Sequence, residues 1–218
     1  MRHLGWIAGA ATAVLVAAGA VTYAIAEDGG GSTSGSRSTS AGQAPAADSA
    51  DAGFARDMAV HHQQAVEMSF LVRDRTRDED VRRLAYDIAQ TQANQRGMLL
   101  GWLDLWGLPK VSPDPPMTWM GMGGMASGKD GALMPGMATN TELRKLGSLS
   151  GKQAEILYLR LMTDHHRGGV HMAEGCATRC TVGVEKRLAQ GMVDSQRSEI
   201  ELMTTMLKER GATPRDRR

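Results

Sequence analysis

Two histidine pairs flanked by methionines are the residues of this chain most able to do chemistry. The pattern Met-x-x-His-His-x5-Met occurs twice, with Met162 lying 104 positions after Met58. Its members are Met58, His61, His62 and Met68 in the first copy and Met162, His165, His166 and Met172 in the second. At about 100° per residue, the four positions of one copy fall within about 120° of an α-helix surface. Imidazole and thioether are donors that favour copper, so each copy predicts a copper-binding helix face.

A structural interpretation of these residues has to be weighed against the chemical one. A single copy is equally well explained by two core methionines and two histidines at the edge of a core. Two superimposable copies favour metal binding, because burying four imidazoles without partners is costly. The same angles place Glu67 and His171 about 180° from Met58 and Met162, so we expect both on the solvent side.

The segment between the two copies adds a second group of soft donors. It holds six methionines within residues 117–137, namely Met117, Met120, Met122, Met125, Met134 and Met137. Interleaved glycine and proline argue against a helix here, so these methionines are not expected to form the stripe of a helical core. Several thioethers on a loop suit Cu(I), which is the interpretation we favour. The alternative is an apolar loop packed across the helices.

Four further residues stand close to these motifs in the predicted fold. Gln95 and Glu199 occupy matching positions of the two halves and should face the histidines. Each is either a ligand, a partner that orients an imidazole, or an edge residue bonded to a neighbouring helix. Cys176 and Cys180 are the only cysteines, and we expect a disulfide at a helix–helix turn of an exported protein. If reduced, the pair would be a Cu(I) site.

Helical patterns dominate the chain from residue 51 onwards. We predict long helices over about 51–75, 151–177 and 182–210, and another that opens with a capping box at Thr76-Arg77-Asp78-Glu79 and ends at Gly107. The halves 51–106 and 151–210 match at the offset of 104, and a shorter helix is expected near 140–149. The predicted fold is all-α: a ferritin-like four-helix bundle (51–210) of two repeated helical hairpins, joined by a Met-rich crossover loop at 107–150. A basic tail follows at 211–218.

The N-terminal residues predict export. Residues 3–26 carry no charged side chain and are long enough to span a bilayer, which takes about 20 residues. They end in Ala24-Ile25-Ala26, a small-x-small pattern typical of signal cleavage, so residues 1–26 are either a signal peptide or a transmembrane anchor. Residues 27–50 are rich in Gly, Ser and Ala, a composition that predicts a flexible linker. The folded part is therefore expected at the outer face of the cytoplasmic membrane or secreted.

Several function classes lack support in the sequence. The formal charge of +1, from 25 basic and 24 acidic residues, provides no electrostatic reason to expect nucleic acid as a partner. No Glu-x-x-His motif is present for a di-iron site, and no Cys-x-x-Cys-His motif for haem. We also find no acid/base pair, so an enzyme is not expected.

Over about residues 51–208 the chain resembles the domain-of-unknown-function 305 family. The resemblance rests on the two His-His motifs, the Met134–Met137 stretch and Gln196-x-x-Glu199-Ile200. It implies an exported, ferritin-like helical protein that binds copper through the eight Met and His residues of the doubled motif. Gln95, where the second half has Glu199, departs from that symmetry and predicts unequal half-sites.

Copper binding outside the cytoplasm is the function that these observations favour. We expect a chaperone, buffer or store for Cu(I) or Cu(II), which would pass the ion to a copper-accepting protein. One alternative is an interaction module whose Met-rich loop docks on a partner protein. A cuprous oxidase is the less favoured alternative.

Overall fold

The computed structural model describes residues 44–123 and 129–215, and these residues form five α-helices. They are α1 (Ala50–Arg73), α2 (Glu79–Leu105), α3 (Asn140–Ser148), α4 (Gly151–Arg179) and α5 (Gly183–Glu209). No β-strand occurs in these two ranges, so the predicted all-α class is confirmed. Two single-turn 3-10 helices, Thr118–Met120 and Lys129–Gly131, lie in the connection where no helical turn was expected.

The start of α2 differs from the sequence prediction. Asp78, not Thr76, caps this helix, and its carboxylate accepts a hydrogen bond from Val81 N at 2.9 Å. The Thr76 hydroxyl instead donates to the Glu155 carboxylate of α4 at 2.6 Å. The predicted capping box was wrong: the helix begins two residues later, and the Thr76 oxygen accepts a hydrogen bond from Asp78 N at 3.0 Å, before the first helical residue.

The long helices form two hairpins that meet through their first members. Helix α1 packs along α2, α4 packs along α5, and α1 and α4 lie side by side. This adjacency brings the two His-His motifs together. Met58 shares a buried cluster with Met172, whereas Met68 shares another with Met162. Helices α1 and α4 therefore run in opposite directions.

The two buried clusters lie on either side of the paired histidines and differ in composition. The loop-side cluster contains methionines of α1, α4 and α5 and of the long connection between α2 and α3: Met58, Met117, Met134, Met137, Met172 and Met192. The far cluster combines Met68, Met162, Met203 and Met206 with Leu84, Ile88 and Tyr158. The connection between α2 and α3 therefore enriches only one side of the core in thioethers.

A tight turn at 134–137 brings the connection onto α4. Gly136 has a φ of +81°, in the left-handed region that favours glycine. A Cβ atom at Gly136 would collide with the Asp164 carbonyl, and one at Gly168 would collide with the Pro135 carbonyl. The two missing side chains thus allow the backbones to touch, and this contact holds Met134 and Met137 in the loop-side cluster.

The turn between α4 and α5 is held by a disulfide and by a carboxylate. Cys176 and Cys180 are bonded, with 4.8 Å between their Cα atoms. Asp51 of α1 accepts a hydrogen bond from Val182 N at 2.7 Å, at the start of α5. Beside it lies Glu185, which is fully buried and whose carboxyl oxygens have no hydrogen-bond partner among the described residues. Burial, assisted by the negative charge of Asp51, raises the pKa of Glu185 to about 9.

Some predicted features lie outside the described residues. These are the N-terminal signal or anchor (1–26), the linker as far as residue 43, Met125, and the last three residues of the tail. In the described ranges, no helix has both the length and the apolar character needed to cross a membrane.

Replacing Gly168 with Ala should destabilise the protein. An Ala in a helix normally gains about 1 kcal/mol over Gly. Here its methyl group would overlap the Pro135 carbonyl, and such overpacking costs about 1–3 kcal/mol. Gly191→Ala is the matched control, because this α5 glycine is exposed and has nothing near its Cβ position. Chemical denaturation should show lower stability for G168A and higher stability for G191A; a stabilised G168A would contradict the close contact.

Glu185 should make the protein less stable as the pH rises. The folded pKa lies above that of an unfolded glutamate, so stability is fully present below about pH 4.5 and is lost as the pH rises towards 9. We expect Glu185→Gln to become progressively more stable than the wild type between pH 5 and 9. Glu201→Gln, an exposed position on the same helix, is the control. A difference between E185Q and wild type that does not change with pH would show that this carboxyl is not held protonated.

Candidate metal centre

Four imidazoles are buried together where α1 meets α4. The side chains of His61, His62, His165 and His166 have no exposed surface. The rings of His61 and His165 face each other, with centroids 3.7 Å apart and an interplanar angle of 32°. Within each pair the centroids lie 6.4 and 6.2 Å apart, with interplanar angles of 52° and 54°. The two motifs therefore form one nearly two-fold symmetric group, hereafter the histidine layer.

Hydrogen bonds orient three of the four rings. His165 donates from Nε2 to the His61 carbonyl at 2.9 Å. In the same way His62 Nε2 bonds to Gln95 Oε1 at 2.9 Å, and His166 Nε2 bonds to Glu199 Oε2 at 2.6 Å. Because these oxygens are acceptors, each Nε2 carries the hydrogen and each neutral ring keeps a lone pair on Nδ1. Gln95 and Glu199 thus act as partners that orient imidazoles, one of the roles predicted for them.

The remaining ring nitrogens are buried without hydrogen-bond partners. These are Nδ1 of all four histidines and Nε2 of His61, as judged over the described residues. A buried polar atom without a partner costs about 1–3 kcal/mol, so five in one place need an explanation. A histidine that donates one N–H to a carboxylate or carbonyl and keeps its other nitrogen free is typical of metal ligands. The layer therefore has the chemistry of a metal-binding group.

Burial favours the neutral form of three of the four imidazoles. Burial, assisted by the charge of a neighbouring histidine, lowers the pKa of His61 and of His62 to about 3. Burial likewise places the pKa of His165 well below its usual value, assisted by His61. Only a neutral imidazole has a lone pair to donate to a metal ion. These three rings can therefore donate to a metal ion at a pH at which an exposed histidine is already protonated.

The eight motif residues do not converge on one point. Met58 and Met172 lie on the loop side of the histidine layer, whereas Met68 and Met162 lie on the far side. All four thioethers are fully buried. The layer thus has a pair of methionines on each side, one from α1 and one from α4.

Loop methionines strengthen only one of these sides. Met117, Met134 and Met137 are buried in the loop-side cluster, while Met120 and Met122 pack against its rim. The loop therefore packs across the helices, and its buried sulfurs lie in the cluster of Met58 and Met172. Met125 falls outside the described ranges.

The arrangement of donors limits the kind of metal site. In the described ranges, three His, Cys, Asp or Glu donors come together only at Cys176, Cys180 and Glu185, within 4.8 Å of one another. Two of those donors are already joined as a disulfide. The histidine layer does not assemble three nitrogens in this way, so an ion held there needs thioether ligands as well. That mixture suits copper better than zinc, which takes harder or thiolate ligands.

Sequence reasoning did not single out two buried glutamines. Gln92 and Gln196 are each 3 % exposed, and their side-chain amides have no hydrogen-bond partner in the described ranges. They lie three residues before Gln95 and Glu199, on the same helix faces. The sequence signal that marks them is their recurrence at the offset of 104. Asp57 was also missed: it accepts hydrogen bonds from Met117 N at 2.7 Å and from Trp119 Nε1 at 2.9 Å.

Comparison with solved structures identifies similar folds. A DUF305 protein from Streptomyces coelicolor, described as secreted, is 74% identical, with a TM-score of 0.74 over 79% of this chain and 100% of that chain. A DUF305 fragment from Deinococcus radiodurans is 31% identical, with a TM-score of 0.60 over 73% of this chain and 96% of that one. CopM shares the fold at the same coverage: its Cu(I)-bound form is 20% identical (TM-score 0.55) and its Cu(II)-bound form 23% identical (TM-score 0.56).

Sequence comparison leads to the same family. No curated protein sequence matches this chain significantly. The profile of the family called domain of unknown function DUF305 matches residues 51–207, which include both His-His motifs and the connection between them. The chain therefore belongs to the DUF305 family.

Proposed function

We propose that this protein binds copper outside the cytoplasm and serves as a store, buffer or chaperone for it. The observation that carries the proposal is the histidine layer, with five buried ring nitrogens that lack hydrogen-bond partners in the described ranges. Methionine pairs lie on both sides of that layer and supply soft, uncharged sulfur. Copper is the ion that accepts both donor types, as Cu(I) with more thioether and as Cu(II) with more imidazole.

Burial of the donors supports holding copper rather than turning over a substrate. The rings and the four motif thioethers are sealed from solvent. An ion enclosed in this way is protected from oxidants and from competing ligands in solution. We therefore propose a binding role, with release to an acceptor protein as the step that the surroundings must trigger.

The relatives support copper as the ligand. CopM, which shares the fold, binds copper in both oxidation states. The Streptomyces relative that is 74% identical is described as secreted, which supports export of this chain as well. The charge-free residues 3–26 would direct that export, as a cleaved signal or as a membrane anchor.

Docking of the Met-rich loop on a partner protein is a weaker explanation. Three of its five described methionines are buried against the helices, at 1%, 5% and 6% exposure. A recognition surface of the flexible, methionine-rich kind needs its thioethers exposed. The loop is thus better suited to line a metal site than to cover a partner.

Replacing His61 and His165 together with Leu should abolish tight copper binding without unfolding the protein. The two rings face each other, and Leu has a similar volume and no polar atom to bury. Removing buried nitrogens that lack partners should leave the melting temperature unchanged or raise it. Copper(I) should be titrated against a chromogenic chelator, with circular dichroism as a check on folding. Met203→Leu, a buried thioether outside the motif, is the control. Undiminished affinity and stoichiometry in H61L/H165L would contradict the proposal.

The metal-free protein should lose stability in mild acid. The histidine pKa values are depressed in the folded state, so their contribution is present above about pH 6.5 and is lost as the pH falls towards 3. We expect a smaller loss in H61L/H165L, which lacks two of the three groups. Urea unfolding at several pH values between 7 and 4 measures this. An equal loss in the variant and the wild type would show that the buried rings do not resist protonation.

A further inference from the structure

A second group of soft donors lies on the surface of α4, outside the histidine layer. His171 is exposed, and its Nε2 lies 3.4 Å from the sulfur of Met122 on the long connection. The sequence placed His171 on the solvent side, and that position is confirmed. Although His171 is exposed to solvent, the connection between α2 and α3 contacts it through Met122.

The spacing of these two atoms suits a shared metal ion. Nitrogen and sulfur ligands bind at about 2.0 and 2.3 Å, so two donors on one ion at a bond angle near 105° lie about 3.4 Å apart. That matches the observed separation without any movement of the backbone. For Nε2 to bind an ion the ring hydrogen must be on Nδ1, a tautomer that neutral imidazole can adopt.

A second thioether lies on the same face of α4. Met120 packs over Gly175, where a Cβ atom would lie 2.9 Å from the Met120 sulfur. Positions 171 and 175 are one helical turn apart, so both loop sulfurs lie along the face that carries His171. The missing side chain at Gly175 is what allows Met120 to approach so closely.

The loop that carries these sulfurs is anchored rather than free. Asp57 of α1 accepts hydrogen bonds from Met117 N and from Trp119 Nε1. The Met122 amide donates to the Met117 carbonyl at 3.0 Å, which closes the turn around Met120. Trp119 also packs edge-on against Phe54, with centroids 5.8 Å apart. Met120 and Met122 are therefore held at α4 by contacts with α1.

The charges around this group favour a monovalent ion. Histidine and thioether ligands are uncharged, so they do not offset the charge of a divalent cation. The nearest acidic group on this part of α4, Glu174, is paired with Arg197 of α5. Cu(I), and its redox-inert counterpart Ag(I), are soft monovalent ions that uncharged nitrogen and sulfur donors bind well.

We propose that His171, Met122 and Met120 form a surface site that captures Cu(I) and loads it into the core. The inference rests on the proposed function. Both sulfurs pack against the loop-side cluster, in which further thioethers continue inward to the motif methionines: Met117, Met134, Met137, Met172 and Met58. The far cluster has no such connection to a loop methionine among the described residues. Copper therefore enters from the loop side of the histidine layer.

Binding at the surface site can be read directly by nuclear magnetic resonance. The full protein, labelled with 13C at its methionine methyl groups, should be titrated with Ag(I). The Met122 methyl signal should shift in the first additions, and His171→Ala should remove that shift. Met98, an exposed methionine on α2, provides the internal control and should not respond. An unchanged Met122 signal in the wild type would overturn the surface site.

Loading is tested by the rate of Cu(I) transfer from a chromogenic Cu(I)–chelator complex in a stopped-flow experiment. We expect His171→Ala and Met122→Leu to slow transfer about tenfold while the final affinity stays unchanged, and Met98→Leu to have no effect. Unchanged rates in H171A and M122L, with tight binding intact, would overturn the loading role and leave the proposed function standing. Absence of tight binding in the wild type would contradict the proposed function instead, and the Met122 methyl signal would still decide whether the surface site exists.

Discussion

Burial of four imidazoles between α1 and α4 is the constraint on which the rest of this structure depends. Polar rings at a helix–helix contact are unfavourable unless their nitrogens are bonded, and here five of the eight ring nitrogens have no hydrogen-bond partner among the described residues. The surrounding elements reduce that cost only in part: α2 and α5 supply Gln95 and Glu199, and the α1 backbone supplies the His61 carbonyl. Binding sites often lower the folding stability of a protein, because their polar groups lack partners until the ligand binds. A metal ion would provide a partner for the remaining ring nitrogens.

The two halves of the molecule are alike in backbone but unequal in chemistry. Ring geometry within the two His pairs is nearly identical. Their partners differ, since one pair is bonded to a neutral amide and the other to a carboxylate, which makes the attached imidazole a stronger donor. The long connection adds a larger inequality, because its methionines join only the loop-side cluster. The nearly symmetric histidine layer thus has different surroundings on its two sides, as the proposed capture and storage of an ion would require.

Three glycines allow the connection between α2 and α3 to pack closely against α4. At Gly168 and Gly175 of α4, atoms of the connection occupy the space where side chains would otherwise project, and at Gly136 of the connection the α4 backbone does so. Thioether ligands on a loop are useful only if the loop lies close to the helices, and a β-carbon at any of these positions would push it away. The anchor at Asp57 acts in the same direction by holding the first turn of the Met-rich segment on α1.

The sequence by itself determined the all-helical class, the internal repeat, the solvent-side position of His171 and the family. These follow from helical periodicity, motif spacing and resemblance, which can be recognised without knowing where distant segments lie. Only the tertiary structure decided which methionine of α1 packs near which methionine of α4. Met58 lies in the cluster of Met172 because α1 and α4 run in opposite directions. The tertiary structure also decided that Thr76 bonds to α4 rather than capping α2, that Gln92 and Gln196 are buried without partners in the described ranges, and that the exposed His171 meets Met122. Each of these depends on where a distant segment lies, and helical periodicity contains no information about that.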